Sequence, residues 1–182
     1  MSFTYIRLHS GKRFDFINPL QSQIDIKDIA YSLSRKGRFN DHTNEFYSVA
    51  QHCCHCSDNV EGEDNRLDAL MHDASEAYIQ DLPSPLKTLL PQYKVLESRV
   101  EKAIAKKFNL TLPHPVEVKN IDMVMLVTEM RDFMKGNDRK RLTSKPLTEK
   151  LYSWSQEEAH REFMFRYDKL KKNNRSYIRP PV

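Results

Sequence analysis

The chain has 182 residues, a formal net charge of +4 and only 4 glycines. This length suits one domain with its own core, and the scarcity of glycine favours helices over a many-turned β fold. No apolar run approaches the roughly 20 residues of a membrane span, and the opening MSFTYIRLHSGKR lacks the apolar segment of a signal peptide. The mild charge permits an anionic ligand without demanding nucleic acid. We therefore expect a cytoplasmic protein with no membrane contact and no stable nucleic-acid partner.

Hydrophobic periodicity divides the chain into a small β-hairpin followed by helices. The hairpin turns at Ser10-Gly11. Asp25 and Ser48 stand where they would cap the first two helices, and the SQEE sequence from Ser155 matches a capping box for the last helix. The predicted elements are a hairpin over residues 4–16, helices over 24–36, 47–60, 65–80, 94–110, 116–136 and 155–171, and a loose basic tail over 172–182. The sequence thus predicts one mostly helical domain over the whole chain.

The segment LMHDASEAYIQDLPSPLK brings several chemical groups close together along the chain. His72 and Asp73 are adjacent, Glu76 follows His72 by one helical turn, and Lys87 comes just after two prolines. A neutral imidazole nitrogen and a carboxylate oxygen together suit a divalent ion such as Mn, Fe, Co, Ni or Zn. A structural ion pair between the neighbours is the plainer alternative for an isolated His-Asp.

Two further residues would complete a metal site. His52 lies in the middle of a predicted helix. Asp122 stands in an otherwise apolar stretch, where a carboxylate needs a partner. Two His and two Asp would leave coordination positions open for water and substrate, as in catalytic rather than structural sites.

The cluster HCCHC is a weaker candidate for a metal site. Its consecutive helical residues point in different directions around the axis and cannot all meet one ion. We therefore interpret the three cysteines as small core residues, and their tight spacing does not indicate a disulfide framework. His9, His114 and His160 have no evident partners and are predicted to lie on the surface.

The order of an early His, a His-Asp pair and a late Asp resembles the HD-domain phosphohydrolases. HDASEAYIQDLPSPLK closely resembles the second-motif helix and loop of bacterial 5'-deoxynucleotidases. GRFNDHTNEFYSVAQHC resembles the first-motif region of small HD hydrolases of phages and bacteria, which include phage dATP triphosphohydrolases. The resemblance covers roughly residues 37–129, and it implies an all-α, HD-domain helical bundle with the hairpin appended.

The resemblance also implies roles for individual residues. The metal ligands would be His52, His72, Asp73 and Asp122. Glu76 would orient or deprotonate the attacking water. The substrate contacts would be Arg38, Phe39, His42, Asp81, Lys87 and Lys119. Asp41 departs from the family pattern, which usually has a small residue there, and so leaves the local loop geometry open.

The expected activity is metal-dependent hydrolysis of deoxynucleotides at the α-phosphorus. The cations Arg38, Lys87 and Lys119 favour a dNTP, and the phage-type resemblance favours dATP, giving deoxynucleoside and triphosphate. A 5'-deoxynucleotidase acting on dNMPs is the alternative, and a nucleotide-binding sensor with a degenerate site is the alternative from another class. The cofactor would be one divalent transition metal ion (Co, Mn, Zn, Fe or Ni), with Mg able to enter with the substrate. A phage-encoded chain would act in the host cytoplasm, and apolar positions on the predicted Lys94–Phe108 helix would allow a homo-oligomer.

Overall fold

The computed structural model describes residues 3–136 and 143–175, with the side chains of the last helix described as far as residue 172. Strands β1 (Tyr5–Arg7) and β2 (Arg13–Asp15) pair antiparallel, with Ile6 opposite Phe14. The helices are α1 (Ile26–Leu33), α2 (Val49–Asn59), α3 (Arg66–Met71), α4 (Glu76–Ile79), α5 (Ser84–Leu89), α6 (Pro91–Phe108), α7 (Val116–Phe133) and α8 (Gln156–Arg175). The predicted fold class, a helical protein with a small N-terminal hairpin, is confirmed. In the part of the chain that the structure describes, no helix combines the length and apolarity needed to cross a membrane.

The predicted caps are confirmed at the start of three helices. Asp25 Oδ1 accepts a hydrogen bond from the Lys27 amide at 3.1 Å and begins α1. Ser48 Oγ accepts from the amide of Gln51 at 3.1 Å and begins α2. Ser155 Oγ accepts from the amide of Glu158, the third residue of α8, at 3.1 Å. Each oxygen satisfies an amide that has no partner within its own helix.

The prediction of one continuous helix over residues 65–80 is wrong. The chain forms two short helices, α3 and α4, joined by a tighter segment in which the Ala74 amide donates to Met71 O and the Glu76 amide to Asp73 O. The His72 ring nitrogen Nδ1 lies 2.8 Å from the carbonyl oxygen of Ala69. In a continuous helix that carbonyl would accept from the amide four residues later, so the histidine side chain competes with the helical bond.

The predicted basic tail is partly helical. Helix α8 continues to Arg175, beyond the expected end at residue 171, while residues 176–182 lie outside the described residues. The segment between the predicted helices over 65–80 and 94–110 contains the short helix α5, and α6 begins at Pro91, three residues before the predicted start.

Two hydrophobic clusters hold the helices together. The larger joins the hairpin to α1–α4, α6 and α8, and its buried members include Phe14, Leu33, Leu70, Ile104 and Phe163. The smaller joins α2 and α3 to α7 and the segment after it, and includes Tyr47, Cys56, Met125, Phe133 and Leu151. All three cysteines are fully buried, which confirms their prediction as core residues. Burying a large apolar side chain contributes roughly 1.5–3 kcal/mol, so this packing fixes α2, α3 and α7 around one polar centre.

Candidate metal centre and active site

His52 projects from the middle of α2 and is completely buried. Its Nδ1 lies 2.5 Å from Oε1 of Glu129, which projects from α7 and is also completely buried. Because an ionised carboxylate only accepts hydrogen bonds, the proton of the neutral imidazole belongs on Nδ1. The lone pair of Nε2 is then left free on the opposite side of the ring.

His72 has the same arrangement with a different partner. Its Nδ1 donates to the carbonyl of Ala69, so its Nε2 is also unprotonated when the ring is neutral. The two Nε2 atoms, from His52 and His72, are only 3.3 Å apart. Two lone pairs that face each other at this distance repel, and a cation between them would remove the repulsion.

Two carboxylates approach the same point. Asp73 Oδ2 lies 3.3 Å from Nε2 of His72 and 3.6 Å from Nε2 of His52. Asp122 Oδ1 lies 3.2 Å from Nε2 of His52 and 3.8 Å from Nε2 of His72. Ligands bound to a metal at roughly 2.0–2.2 Å stand roughly 3.0–3.5 Å from one another. The spacing of these donors and their mixed nitrogen and oxygen chemistry therefore fit a divalent transition metal.

Electrostatics support a mutual interaction between these groups. Burial raises the pKa of Asp122, but when the rings of His52 and His72 are protonated at Nε2, their hydrogen bonds outweigh burial and hold that pKa well below its ordinary range. Burial and the charge of Arg38 lower the pKa of His52, yet its interactions with Cys56, Glu129 and Asp122 outweigh them and raise it. The centre therefore attracts positive charge, whether a proton or a metal ion.

Two cysteines of α2 line the same centre. Cys56 Sγ lies 3.5 Å from Nε2 of His52 and forms a close group with His52 and His72. Cys53 forms a second such group with His72 and Asp73. Burial raises the pKa of both thiols, so in the metal-free protein they present neutral, weakly polar walls. The sequence identified them as core residues but not as neighbours of the centre.

Arg38 is held against the centre by two carboxylates. Its Nε donates to Oε2 of Glu129 at 3.0 Å and its Nη1 to Oδ2 of Asp73 at 3.4 Å. Glu129 thus connects the guanidinium to His52. Sequence reasoning missed Glu129, although it stands seven residues after Asp122, two helical turns along the same face. It is a carboxylate in an apolar stretch, which is the signal that singled out Asp122.

Glu76 begins α4 and is 4% exposed. Its Oε1 lies 3.9 Å from Nζ of Lys87, and within the described residues its Oε2 has no hydrogen-bond partner. Burial, together with the charges of Asp73 and Asp81, raises the pKa of Glu76 well above its ordinary value. A buried carboxylate with a raised pKa and a free oxygen beside a candidate metal centre has the properties of a proton acceptor.

The remaining candidate substrate residues differ in how they are held. Lys87 Nζ donates to Oε1 of Glu97 at 2.6 Å. Asp81 is half-buried, and its pKa is raised by burial. The Phe39 ring lies under the guanidinium of Arg38, with 5.6 Å between the ring centroid and Cζ. Among these candidates, His42 and Lys119 are exposed. Their side chains form no hydrogen bond or ion pair with the described part of the chain.

The loop that carries Arg38 has an unusual backbone between Phe39 and Asp41. Phe39, Asn40 and Asp41 have φ angles of 56°, 51° and 60°, in the left-handed region that costs energy for residues other than glycine. The turn folds the Asp41 carboxylate back over Gly37, where an added Cβ would lie 1.6 Å from Oδ1. The departure from the family pattern at position 41 is therefore accommodated by the absence of a side chain at position 37.

The predicted surface position of His114 is wrong, because this residue lies beside the centre. Its ring centroid is 6.5 Å from that of His72, and its Nδ1 is buried. Burial and the nearby His72 lower its pKa. Its position at the start of α7 could not be read from the sequence, since it depends on how the α6–α7 connection packs against α3. His9 is exposed as predicted, whereas His160 is half-buried.

Comparisons with known proteins agree with this geometry. A family model described as 5'-deoxynucleotidase YfbR-like matches residues 36–167, which include all four candidate metal ligands. The uncharacterized protein YfdR of Escherichia coli K12 is 46% identical over 129 residues, 71% of this chain and 72% of that protein. The uncharacterized protein RCAP_rcc00048 of Rhodobacter capsulatus is 34% identical over 137 residues, 68% of this chain and 70% of that protein. The resemblance to HD-domain phosphohydrolases is confirmed, and the chain belongs to the YfbR-like family of 5'-deoxynucleotidase-type phosphohydrolases.

Proposed function

We propose that the protein is a metal-dependent 5'-deoxynucleotidase, which hydrolyses a deoxynucleoside monophosphate to the deoxynucleoside and phosphate. The observation that carries this proposal is the convergence of His52, His72, Asp73 and Asp122 on one point, next to the buried Glu76. A divalent metal bound there would polarise the phosphate and lower the pKa of water. The family match supports the same type of reaction.

The protein's own groups would prepare this chemistry in advance. Glu129 and the Ala69 carbonyl hold the two imidazoles in the tautomer and orientation that expose Nε2. Asp73 and Asp122 supply negative charge, which favours a cation at the centre. Glu76 would take the proton of the attacking water as the bond between phosphorus and the 5'-oxygen breaks.

The ion pairs of Arg38 and Lys87 favour a monophosphate substrate over the triphosphate that the sequence suggested. Arg38 is engaged by Glu129 and Asp73, and Lys87 by Glu97. Their positive charge is therefore largely balanced by the protein itself, and a triphosphate carries more negative charge to be matched. A dNTP triphosphohydrolase is the second candidate function, and the observation that favours it is the exposed, unpaired ammonium of Lys119.

An end-point assay tests the proposal. The metal-free protein would be supplied with Mn, Co, Zn or Mg and incubated with each dNMP and each dNTP, and the products separated by chromatography. We expect deoxynucleoside and single phosphate from the dNMPs. Release of intact triphosphate from dATP with dNMPs untouched would contradict the proposal and establish the second candidate.

The control is Asp73→Ala, which should lose bound metal and turnover together. Nucleotide binding without turnover of any substrate, by a protein that retains its metal, would instead indicate a sensor.

A further inference from the structure

A second concave region borders α4 at Ala77 and Tyr78. It is a cleft of about 430 Å³ between the hairpin, one face of α1 and the back of α4. Its polar wall is formed by Arg7, His9, Asp28, Tyr31, Arg35 and Lys36. None of these residues belongs to the candidate metal centre, and this size suits a small-molecule ligand.

The positive charges in this cleft are poorly balanced. The Arg7 guanidinium donates to the Gly11 carbonyl at 3.2 Å, and Lys36 Nζ to the side-chain oxygen of Gln80 at 3.0 Å. Both acceptors are neutral, and among the described residues neither cation forms an ion pair. Lys36 experiences the charges of Glu76 and Asp81 only at longer range, and burial lowers its pKa. Arg35 has one carboxylate nearby, that of Glu157 at 3.6 Å, whose side chain is 77% exposed. An exposed pair of this kind is weak, so the cleft presents a net positive surface.

The one acidic residue in the wall is already engaged. Asp28 is 5% exposed, its Oδ1 accepts from the Ser10 amide at 2.8 Å, and its Oδ2 accepts from the Ser10 hydroxyl at 2.7 Å. These bonds attach the hairpin turn to α1. The carboxylate therefore holds the walls of the cleft together and is not directed at the three cations.

An aromatic stack positions two of the basic groups. The His9 ring lies parallel to the Tyr31 ring at 3.6 Å between centroids, and Arg35 Cζ lies 3.9 Å from the same Tyr31 centroid. Two groups this close to one ring must occupy opposite faces. Both faces of Tyr31 are thus covered, so the stack leaves Arg35 fixed in position and no tyrosine face free for a nucleobase.

We propose that this cleft is a binding site for a phosphate-bearing anion, held by Arg7, Arg35 and Lys36. A planar guanidinium matches phosphate oxygens in two parallel hydrogen bonds, and an ammonium adds a point charge. The three cations now have four neutral oxygens as partners, those of Gly11, Gln80, Tyr31 and Ser34, and one exposed carboxylate, that of Glu157. A phosphate group carries more negative charge than any of these partners and would readily displace them. Recognition would rest on the phosphate and not on a base.

The site is linked to the back of the candidate active site. Ser32 Oγ donates to the Ala77 carbonyl of α4 at 2.9 Å. The hydrogen bond of Lys36 reaches Gln80, which ends α4 with a φ of 77°. An anion that draws Lys36 away from Gln80 would therefore act on the short helix that begins with Glu76. This effect on rate rests on the proposed function, whereas the binding does not.

Equilibrium dialysis with radiolabelled pyrophosphate tests the binding, on the full chain treated with chelator. The test variant is the double substitution Arg7→Gln with Arg35→Gln. The matched control is Arg13→Gln, which removes a cation of the same hairpin that stacks on Tyr5 outside the cleft. Lys87→Gln identifies any pyrophosphate bound at the candidate active site.

We expect the double variant to lose at least tenfold in affinity at one site, which Arg13→Gln and Lys87→Gln leave unchanged. Equal affinity in the double variant and the wild type would overturn the proposal, as would an equal loss in Arg13→Gln. If the double variant does not fold, Lys36→Gln must show the loss. A deoxynucleoside diphosphate should bind this site about as tightly as pyrophosphate. Tenfold tighter binding of the nucleotide would overturn recognition by phosphate alone.

The link to α4 is tested by kcat for dNMP hydrolysis at saturating substrate. Added pyrophosphate should change kcat in the wild type and in Arg13→Gln, but not in the double variant. Binding without any change in kcat would overturn the link and leave the site in place. Absence of dNMP turnover before any anion is added would instead contradict the proposed function, so the two failures are distinguishable.

Discussion

His52 and His72 direct Nε2 to the same point because each has its Nδ1 proton engaged elsewhere, one by Glu129 and the other by the Ala69 carbonyl. The sequence identified both histidines through the family pattern. It did not identify what orients them, because a hydrogen bond across 77 residues of chain leaves no local signal. The orienting groups decide whether a set of donors binds metal strongly.

Glu129→Gln should weaken metal binding without removing a ligand. The amide keeps the size of the side chain but loses the charge that holds the His52 proton and the Arg38 guanidinium. We expect metal affinity to fall about 10–100-fold, with most of kcat recovered at saturating metal. Competition with a chromophoric chelator measures the affinity. The control is Glu97→Gln, which changes a carboxylate paired with Lys87 and should leave the metal affinity unchanged. If Glu129→Gln also left the metal affinity unchanged, Glu129 would have no role in positioning the ligands.

Glu76→Gln should separate proton handling from metal binding. We propose that Glu76 accepts a proton and does not bind the metal, so we expect metal content to persist and kcat to fall about 10²–10⁴-fold. The metal-free variant should also be more stable than the wild type at neutral pH. Burial and two neighbouring carboxylates raise the folded-state pKa of Glu76. This group therefore costs stability progressively as the pH rises from its unfolded pKa of about 4.3 through the raised folded-state pKa.

Metal analysis, single-turnover kinetics and urea unfolding measure the three quantities. Loss of the metal in Glu76→Gln would show that this carboxylate is a ligand.

At the scale of the elements, hydrophobic period and caps were sufficient to place most helices. Asp25 and Ser48 act as the sequence predicts, because a capping bond involves only neighbouring residues. The division of residues 65–80 into α3 and α4 was not predictable in the same way. It depends on the His72 side chain, whose local bond to Ala69 competes with the helical pattern. The residue that interrupts the helix is thus the same histidine that we propose as a metal ligand.

The cap of α2 should influence the metal centre as well as stability. Ser48→Ala removes the acceptor for the Gln51 amide, one residue before His52, and should cost about 1 kcal/mol of unfolding free energy. Ser155→Ala removes the equivalent acceptor of α8 and should cost a similar amount. We expect only Ser48→Ala to lower metal affinity. Chemical denaturation and chelator competition on both variants make the comparison. Equal metal affinities would show that α2 is held by packing alone.

At the scale of the whole molecule, the sequence predicted the fold class and the family of phosphohydrolases but not the spatial neighbours. The candidate metal centre joins α2, α3 and α7, and the proposed anion cleft joins the hairpin to α1 and α4. Contacts of this kind depend on helix packing, for which periodicity gives only the buried face. The resemblance supplied the first set of neighbours in advance. The sequence pattern did not predict the second set of neighbours, because nothing distinguishes Arg7, Arg35 and Lys36 from other surface cations.

Asp132 is the ionisable acceptor among the groups that attach the segment after residue 142 to the end of α7, and it gives the molecule a pH-dependent element of stability. Asp132 accepts from the Arg131 guanidinium at 2.8 and 2.7 Å and from the Leu151 amide at 2.9 Å. Burial raises the Asp132 pKa, but these hydrogen bonds outweigh it and hold the pKa below its ordinary value. A carboxylate with a lowered folded-state pKa stabilises the protein above its unfolded pKa of about 3.9 and loses that contribution as the pH falls further.

Asp132→Asn should therefore destabilise the protein at neutral pH by about 1–3 kcal/mol, the usual cost of leaving buried hydrogen-bond partners unsatisfied. The difference from the wild type should shrink as the pH falls below about 4, because the wild-type carboxyl then becomes neutral as well. Urea unfolding at a series of pH values measures both effects. Asp64→Asn, at an exposed carboxylate of a short turn, is the matched control and should change stability little at any pH. If the loss of unfolding free energy in Asp132→Asn stayed constant down to acidic pH, packing and not the charge of Asp132 would attach this segment to α7.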